Sequence, residues 1–328
     1  MERDYGIDWL RAFAIVLMVI GHSIQYSLVT DFDSNLLFRF IYSFHMPLFI
    51  FISGYLAHSG YNHGFLWKRV RLLIVPFLVW MVLYAFYYRR LDLQQGNWAI
   101  LPSYYWDVIQ FPGKGGLWFL WALFLIDVVY HLLQKTKYFY LFSLLFLLML
   151  YVAAPFWDFP NYYGVGLLRF YYPFFLLGCL FRQRNLIKKI NLPIILFLII
   201  AWVGLEFVWN RTGDVNTFGL PIACDANSVY AQIIRWLTPV PALVLFFKLS
   251  RLFQRTNVIV QWLSVNTLAI YASHFIWIYL FADLLGETTL KKSGIEMILV
   301  FIATGLCTWL TIWLVRKSSF LRQLLFGR

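Results

Sequence analysis

Long apolar stretches recur along the chain, separated by short segments that are rich in charged and turn-forming residues. Each stretch is close to the roughly 17–25 residues that an α-helix needs to cross a bilayer. A helix also satisfies its own backbone hydrogen bonds, as a lipid-facing segment must. The pattern predicts ten membrane-spanning helices, over residues 9–26, 38–57, 70–88, 117–134, 138–154, 167–181, 192–209, 229–247, 263–285 and 295–315.

The composition places the chain in the membrane class. Of its 328 residues, 62% are hydrophobic and 21% aromatic, whereas only 13% are charged. That charged share is about half the share found in a typical soluble domain. Many aromatic residues lie at the ends of the apolar stretches, as in the interfacial belt of a membrane protein. We therefore predict an all-α fold, a polytopic membrane helix bundle of about ten transmembrane helices, forming a single domain over residues 1–328.

The net charge of +12 does not indicate a nucleic-acid partner. The Lys and Arg residues form short clusters between apolar stretches, which is the pattern of topology signals. Ten helices return both termini to one side of the membrane, and that side carries most of the basic residues. The positive-inside rule therefore predicts cytoplasmic termini, with residues 89–116 and 210–228 as the two longest outer loops.

The three cysteines and the N-terminal segment suggest little chemistry. Cys179 and Cys307 fall in apolar stretches and Cys224 in a loop, with neither disulfide nor metal-site spacing. We therefore expect no metal site. Residues 12–20 resemble the core of a signal peptide, but charged residues lead into them and no convincing cleavage site follows. We expect an uncleaved first helix.

One arginine and one histidine share the first apolar stretch. Arg11 and His22 are eleven positions apart, which brings them to nearly the same helix face, about 16 Å apart along the axis. Ionisable residues inside a membrane usually face a polar cavity and serve a function. His22 has the chemistry of a general base, and the alternative is a structural histidine bonded to a neighbouring helix. Arg11 suits a phosphate group, and its alternative is a topology anchor.

Further polar residues are predicted at a similar depth, in the outer half of the membrane. They are candidate substrate-binding residues: His45, Arg169, Glu206, Arg235 and His274. Their agreement in depth suggests a cavity that opens outward. Glu206 and Arg235 could instead form a structural pair between neighbouring helices, which we favour over catalysis. Trp118, at the start of the fourth stretch, is a candidate for stacking on a sugar face.

A basic cluster lies between the second and third stretches. Lys68, Arg69 and Arg71 would lie at the inner mouth of the same cavity, where with Arg11 they could bind an anionic cofactor. The alternative interpretation is a positive-inside signal, which such clusters usually are. Asp127, near the middle of the fourth stretch, could pair with an arginine or bond to a neighbouring helix.

Two other motifs are assigned to structure. Ser53 lacks the glycine-flanked elbow of a serine nucleophile, so the Ser53-Gly54 pair is interpreted as a site of close helix contact. Residues 113–116 are Gly-Lys-Gly-Gly, which lacks the spacing of a phosphate loop and the Ser or Thr that should follow it. We expect this segment to form a flexible rim of the cavity.

Several of these motifs resemble the acyltransferase 3 family of membrane O-acyltransferases. The matching pieces are Asp8-Trp9-Leu10-Arg11 with ten residues to His22, Pro47-Leu48-Phe49-Ile50-Phe51-Ile52-Ser53-Gly54-Tyr55-Leu56, Lys68-Arg69-Val70-Arg71-Leu72-Leu73-Ile74-Val75-Pro76, Leu117-Trp118-Phe119-Leu120, and Asn266-x4-Tyr271-x2-His274. Together they span nearly the whole chain. Ala12 is a departure, because many members of the family have glycine after the arginine.

The resemblance implies an acyl-CoA-dependent O-acyltransferase in a prokaryotic inner membrane. Such enzymes take an acyl group from the cytoplasmic side, here expected to come from acetyl-CoA, and deliver it to a hydroxyl facing outside. The expected acceptor is a sugar, a glycolipid or a polysaccharide. The resemblance also implies that His22 is the base and that Arg11 faces the coenzyme A, with Lys68, Arg69 and Arg71 at the inner mouth.

A transporter or flippase for an anionic or sugar-linked substrate is the alternative function. Ten helices, intramembrane charges and a two-sided cavity would fit it equally well. The pairing of Arg11 and His22 with the Ser53-Gly54 and 68–71 motifs favours the enzyme, because a transporter does not need them. The two halves of the chain also show no inverted-repeat signal. No feature of the sequence indicates an oligomeric state.

Overall fold

The computed structural model describes residues 3–28, 32–57, 64–153, 159–209, 211, 229–285 and 294–328. Within these ranges the chain forms helices and no strand. In chain order the helices are α1 (Tyr5–Ser27), α2 (Leu36–Leu56), α3 (Phe65–Tyr88), α4 (Arg90–Gln94), α5 (Ile100–Gln110), α6 (Trp118–Leu133), α7 (Phe139–Ala153), α8 (Val165–Gln183), α9 (Leu192–Val208), α10 (Val229–Leu237), α11 (Pro239–Ser250), α12 (Val258–Leu285), α13 (Ile295–Val315) and α14 (Ser319–Phe326).

Every predicted apolar stretch is helical in the structure. Seven helical segments of the described chain are long and apolar enough to cross a membrane: α1, α2, α3, α8, the α10–α11 segment, the second part of α12, and α13. The helices α6, α7 and α9 are apolar and somewhat shorter. The prediction of an all-α polytopic membrane bundle is thereby confirmed.

Helix α1 begins earlier than the apolar pattern predicts. The side chain of Asp4 accepts a hydrogen bond from the amide of Ile7, so a polar residue caps the helix before its apolar part begins. Asp8 in the first turn complements the positive end of the helix dipole. Arg11 consequently lies in the second turn. Because α1 is continuous to Ser27, Arg11 and His22 lie on one uninterrupted helix.

Helix α3 contains a π-helical turn at Val70–Ile74, directly after Arg69. Pro76 explains this wider turn, because proline lacks an N–H and its ring would clash with the carbonyl of Leu72 in a regular α-helix. The C-terminal segment packs against the same region. A Cβ on Gly327 would lie 2.7 Å from the carbonyl oxygen of Leu72, and the Trp80 indole donates to the Leu325 carbonyl at 2.8 Å.

The segment between α3 and α6, predicted as an outer loop, contains helices in the structure. It contains α4, α5 and a 3₁₀ turn at Pro112–Gly115. On α5, Tyr104 and Val108 are buried on one face, and burial raises the pKa of Tyr104 to about 12. Gly115 lies against Val108, so the 113–116 segment, predicted to be flexible, is packed here. The second predicted outer loop, residues 210–228, lies outside the described residues except for Arg211.

The chain forms two compact units. One comprises Met1–Leu56, Leu177–Thr267 and Ile278–Leu306. The other comprises Ala57–Leu176, Leu268–Trp277 and Cys307–Arg328. Helix α12 contributes residues to both, so the two units are defined by packing and not by contiguous chain.

Within the first unit, α2 and α8 approach at two glycines. A Cβ on Gly178 would lie 2.6 Å from the backbone nitrogen of Tyr55 and 3.1 Å from the carbonyl carbon of Gly54. The neighbouring Cys179 thiol contacts the Gly54 carbonyl at 3.3 Å. The predicted close helix contact at Ser53-Gly54 is therefore present. The Ser53 hydroxyl donates to the carbonyl of Phe49 one turn earlier, in keeping with a packing role.

We predict that Gly178→Ala destabilises the protein by about 1–3 kcal/mol, because the added methyl would overlap the backbone of α2. Gly204→Ala is the matched control, since a Cβ there meets no atom within 4 Å. That control should stabilise α9 slightly through its helix propensity. Thermal unfolding of the two variants in the same detergent would measure the difference, and equal melting temperatures would contradict the packing account.

Candidate active site

His22 lies on α1 in a small hydrogen-bonded cluster. Its Nδ1 is 2.7 Å from the Tyr42 hydroxyl and 3.2 Å from Gln25 Oε1. The Tyr42 hydroxyl also donates to Gln25 Oε1. Gln25 is three residues after His22, so both project from the same face of α1, whereas Tyr42 reaches the imidazole from α2. The imidazole is thus held from its own helix and from a neighbouring one.

Glycine at position 21 allows Tyr42 to approach the histidine. A Cβ on Gly21 would lie 2.9 Å from Cε2 of the Tyr42 ring and 3.1 Å from Cγ2 of Ile41. The Tyr42 ring meets the His22 ring edge-on, with ring centroids 5.7 Å apart. The Tyr42 ring also packs against the fully buried ring of Phe38. The placement of Tyr42 therefore depends on helix packing as well as on hydrogen bonding.

The structure brings a second candidate, His45, to the same tyrosine. The His45 ring centroid is 4.9 Å from that of Tyr42. His45 is buried, and its Nδ1 donates to the carbonyl of Ile41 at 2.8 Å, one turn earlier on α2. Both predicted histidines of this unit therefore contact Tyr42, but His45 is hydrogen-bonded to its own helix.

An ion pair lies beside this cluster. Arg211 binds Asp33 through two hydrogen bonds of 2.8 and 3.0 Å. Hydrogen bonding by Asp33 raises the pKa of Arg211, and the electrostatic influence of Tyr42 and Tyr26 acts in the same direction. Tyr26 itself pairs with Tyr279 through their hydroxyls, 3.0 Å apart. A fixed positive charge and several phenols thus lie close to the His22 end of α1.

Glu206 has other partners than the Arg235 suggested by the sequence. Its carboxylate accepts hydrogen bonds from the Ser43 hydroxyl and, at 2.8 Å, from the Trp202 indole. Arg39 donates to the backbone carbonyls of Glu206 and Trp209, where a cation caps the C-terminus of α9. The predicted pairing of Glu206 with Arg235 is therefore wrong, because Ser43 and Trp202 bind the carboxylate instead. Arg235 is half-buried on α10.

The residues before Arg11 fix the start of α1. Asp8 is buried and accepts from Arg3 and, at 2.6 Å, from the Ser264 hydroxyl. The Trp9 indole donates to the Arg255 carbonyl at 2.9 Å. These contacts anchor the turn that precedes Arg11, which is half-buried.

The basic cluster belongs to the second unit. Lys68 and Arg71 are exposed, whereas Arg69 forms an ion pair with Asp127, with 3.0 Å between Nε and Oδ2. The Asp127 side chain is 3% exposed, and the Arg69 guanidinium also lies over the Phe65 ring at 5.1 Å. Of the two sequence interpretations of Asp127, pairing with an arginine is the one observed.

Two further candidates of this unit have aromatic neighbours. Trp118 stacks on Tyr171, with ring centroids 4.9 Å apart and an interplanar angle of 25°. The Arg169 guanidinium lies 4.6 Å from the Tyr151 ring centroid. The stacked pair presents a planar, partly exposed aromatic surface at the start of α6.

His274 is linked to the same end of α6 through Tyr271. The Tyr271 hydroxyl donates to the Gly116 carbonyl and accepts from the Phe119 amide, both at 3.1 Å. His274 is fully buried, and its Nδ1 donates to the Tyr271 carbonyl at 2.8 Å. The predicted Trp118 and His274 segments are thus joined by one tyrosine.

Sequence reasoning missed the two residues that hold His22. Gln25 could have been found, because a polar residue three positions from a histidine in an apolar helix lies on the same helix face. Tyr42 carries no such signal, because its contact depends on how two helices pack. No group of three or more His, Cys, Asp or Glu side chains suited to a metal occurs in the described part of the chain.

We predict a strong energetic coupling between Arg69 and Asp127. Asp127→Leu and Arg69→Met each leave one charge without this partner, so each should lower stability. The double variant should be more stable than the sum of the single effects, with a coupling energy of about 1–3 kcal/mol. Thermal or denaturant unfolding of the four proteins in detergent measures it, and strictly additive losses would show that the ion pair carries no stability.

Comparison with known proteins agrees with the motifs. No solved structure matches the chain. Nodulation protein NolL of Sinorhizobium fredii is 33% identical over 201 residues, which cover 56% of this chain and 50% of that protein. Nodulation protein NolL of Mesorhizobium japonicum is 30% identical over 204 residues, which cover 56% of this chain and 48% of that protein. The match thus spans about half the length of these curated relatives. The family model of the acyltransferase 3 family, described as an acyltransferase domain, matches residues 4–316, so the chain belongs to that family.

Proposed function

We propose that this acyltransferase transfers an acyl group, acetyl in the simplest case, from acyl-CoA to a hydroxyl of a sugar, glycolipid or polysaccharide. His22 acts as the general base. The observation that carries this assignment is the hydrogen-bonded cluster of His22, Gln25 and Tyr42, which fixes an imidazole inside an apolar helix bundle. An imidazole is the side chain that most often acts as a general base.

The reaction requires one proton transfer in each direction. The acceptor hydroxyl gives its proton to the imidazole as its oxygen attacks the thioester carbonyl carbon. The carbon–sulfur bond then breaks, and the departing thiolate takes the proton from the imidazolium. The products are an O-acyl ester and free coenzyme A, and His22 returns to its neutral form. General-base catalysis of this kind contributes about 10²–10⁴-fold to the rate.

The acyl donor is proposed to bind through cationic side chains. Lys68 and Arg71 are exposed, and the second turn of α1 carries the half-buried Arg11. Arg69 uses its Nε towards Asp127, so its terminal nitrogens can still contact a phosphate. Guanidinium groups bind phosphates through paired, charge-assisted hydrogen bonds. With both termini in the cytoplasm, as the distribution of basic residues predicts, the donor would enter from that side.

The acceptor is proposed to be a carbohydrate facing the outer side. The stacked Trp118 and Tyr171 rings offer the flat apolar surface on which a sugar face packs. We retain the polar candidates as acceptor-binding residues in this proposal: His45, Arg169, Glu206, Arg235 and His274. Both relatives come from bacteria, which supports placement in a prokaryotic inner membrane.

His22→Ala should lower acyl transfer by about 10²–10⁴-fold, because the base is lost. Transfer of label from acyl-radiolabelled acetyl-CoA into glycan or glycolipid, in membranes with matched expression, measures it. His131→Gln is the control, since His131 has no role in the proposal. If the two variants transferred label equally well, His22 would not be the base.

Arg71→Gln should raise the KM for acetyl-CoA about tenfold, while kcat changes little, because a charged hydrogen bond to phosphate is worth about 1.5–3 kcal/mol. The loss should shrink at high salt, where exposed charges are screened. Lys137→Gln is the matched control, because Lys137 is an exposed cation outside the cluster. A drop in kcat with unchanged KM would contradict a donor-binding role.

A further inference from the structure

The cluster around His22 restricts where its hydrogens can be. Gln25 Oε1 is an amide oxygen and can only accept hydrogen bonds. The Tyr42 hydroxyl has a single hydrogen, and it donates that hydrogen to Gln25 Oε1. The contact of 2.7 Å between the Tyr42 hydroxyl and His22 Nδ1 therefore needs its hydrogen from the imidazole.

The second contact of the ring leads to the same assignment. His22 Nδ1 is 3.2 Å from Gln25 Oε1. An acceptor oxygen at this distance requires that Nδ1 carry a hydrogen. Both contacts of Nδ1 are satisfied by one N–H shared between two oxygens. A neutral imidazole has only one N–H, so Nε2 then carries the lone pair.

We propose that Gln25 and Tyr42 are positioning residues that hold neutral His22 in the Nδ1–H tautomer, so that Nε2 is the atom that accepts the proton of the acyl acceptor. This inference rests on the proposed role of His22 as base. Neither Gln25 nor Tyr42 needs to touch the substrate in this arrangement. Their hydrogen bonds determine which ring nitrogen of His22 carries the hydrogen and which carries the lone pair.

Removing each partner has a different consequence. Gln25→Leu takes away the acceptor of the Tyr42 hydrogen, which is then directed towards Nδ1. Nδ1 then becomes an acceptor and Nε2 carries the hydrogen. Nε2 therefore has no lone pair with which to accept the proton of the acyl acceptor. Tyr42→Phe removes that competing donor and leaves Gln25 Oε1 as the partner of Nδ1–H. The tautomer is retained, with one hydrogen bond fewer.

These consequences predict an unusual order of activities. Gln25→Leu should lower kcat at least tenfold, and Tyr42→Phe only a few-fold. Adding Tyr42→Phe to Gln25→Leu should raise kcat several-fold above that of Gln25→Leu alone, because it removes the hydroxyl that enforces the wrong tautomer. Tyr279→Phe is the matched control, because it deletes a tyrosine hydroxyl bond to Tyr26 in the same unit. A double variant no more active than Gln25→Leu would overturn the proposal, since lost packing could only add to the damage.

The tautomer can also be observed without an activity assay. Protein labelled with ¹⁵N-histidine, in lipid nanodiscs at pH 8.5, gives correlations between each ring nitrogen and the carbon-bound ring hydrogens. The His22 signal is the one lost in His22→Gln. We expect Nδ1–H in wild type, in Tyr42→Phe and in Gln25→Glu, which keeps an acceptor oxygen, and Nε2–H in Gln25→Leu.

Three other histidines provide internal references. His45 and His274 donate from Nδ1 to backbone carbonyls, which only accept, so both should show Nδ1–H. His131 receives a hydrogen bond on Nδ1 from the Gln134 amide at 3.2 Å and should show the opposite form, Nε2–H.

Nε2–H for wild-type His22 would overturn the proposal, whatever activity the enzyme shows. Full activity of His22→Ala would instead remove the base itself, and with it the role of Gln25 and Tyr42, even if Nδ1–H were seen.

Discussion

Polar side chains inside an apolar helix bundle must be satisfied by other groups of the protein, because the surrounding lipid offers no hydrogen bonds. In this protein the requirement is met repeatedly between helices. His22 of α1 meets Tyr42 of α2, Ser43 of α2 meets Glu206 of α9, and Asp127 of α6 meets Arg69 of α3. Each of these contacts joins helices through a few polar atoms within an apolar interface. The candidate site residues His22, Glu206 and Arg69 are therefore also part of the helix packing.

This dual role explains why the candidates differ in what they offer to a substrate. His45 and His274 are buried, and their Nδ1 atoms donate to carbonyls of their own helices. His22 is half-buried and is held by side chains, one of them from another helix. The rings of His45 and His274 are hydrogen-bonded to their own helices, whereas the ring of His22 is hydrogen-bonded to side chains of α1 and α2. The proposed base is thus a half-buried histidine that side chains of two helices hold in place.

The sequence predicted what depends on a single helix and failed where helices meet. Apolar length located every long helix, and the eleven-residue spacing put Arg11 and His22 on one face, since both follow from helical periodicity. Tyr42 was missed, and Glu206 was given the wrong partner, because those contacts depend on helix packing. Helix α5 was interpreted as loop, because its polar and turn-forming residues hide the spacing of Tyr104 and Val108. The role of Arg11 remains a prediction from the family resemblance.

The geometry of the His22 cluster also explains why its two holding residues are a glutamine and a tyrosine. If both groups beside His22 were obligate donors, Nδ1 would have to accept. If both were obligate acceptors, the contact between the two groups would have no hydrogen. A tyrosine hydroxyl both donates and accepts, so it can pass its hydrogen to Gln25 and receive one from His22. The amide oxygen completes the chain because it accepts from both neighbours. This arrangement of hydrogens satisfies all three contacts and leaves Nε2 with the lone pair that base catalysis needs.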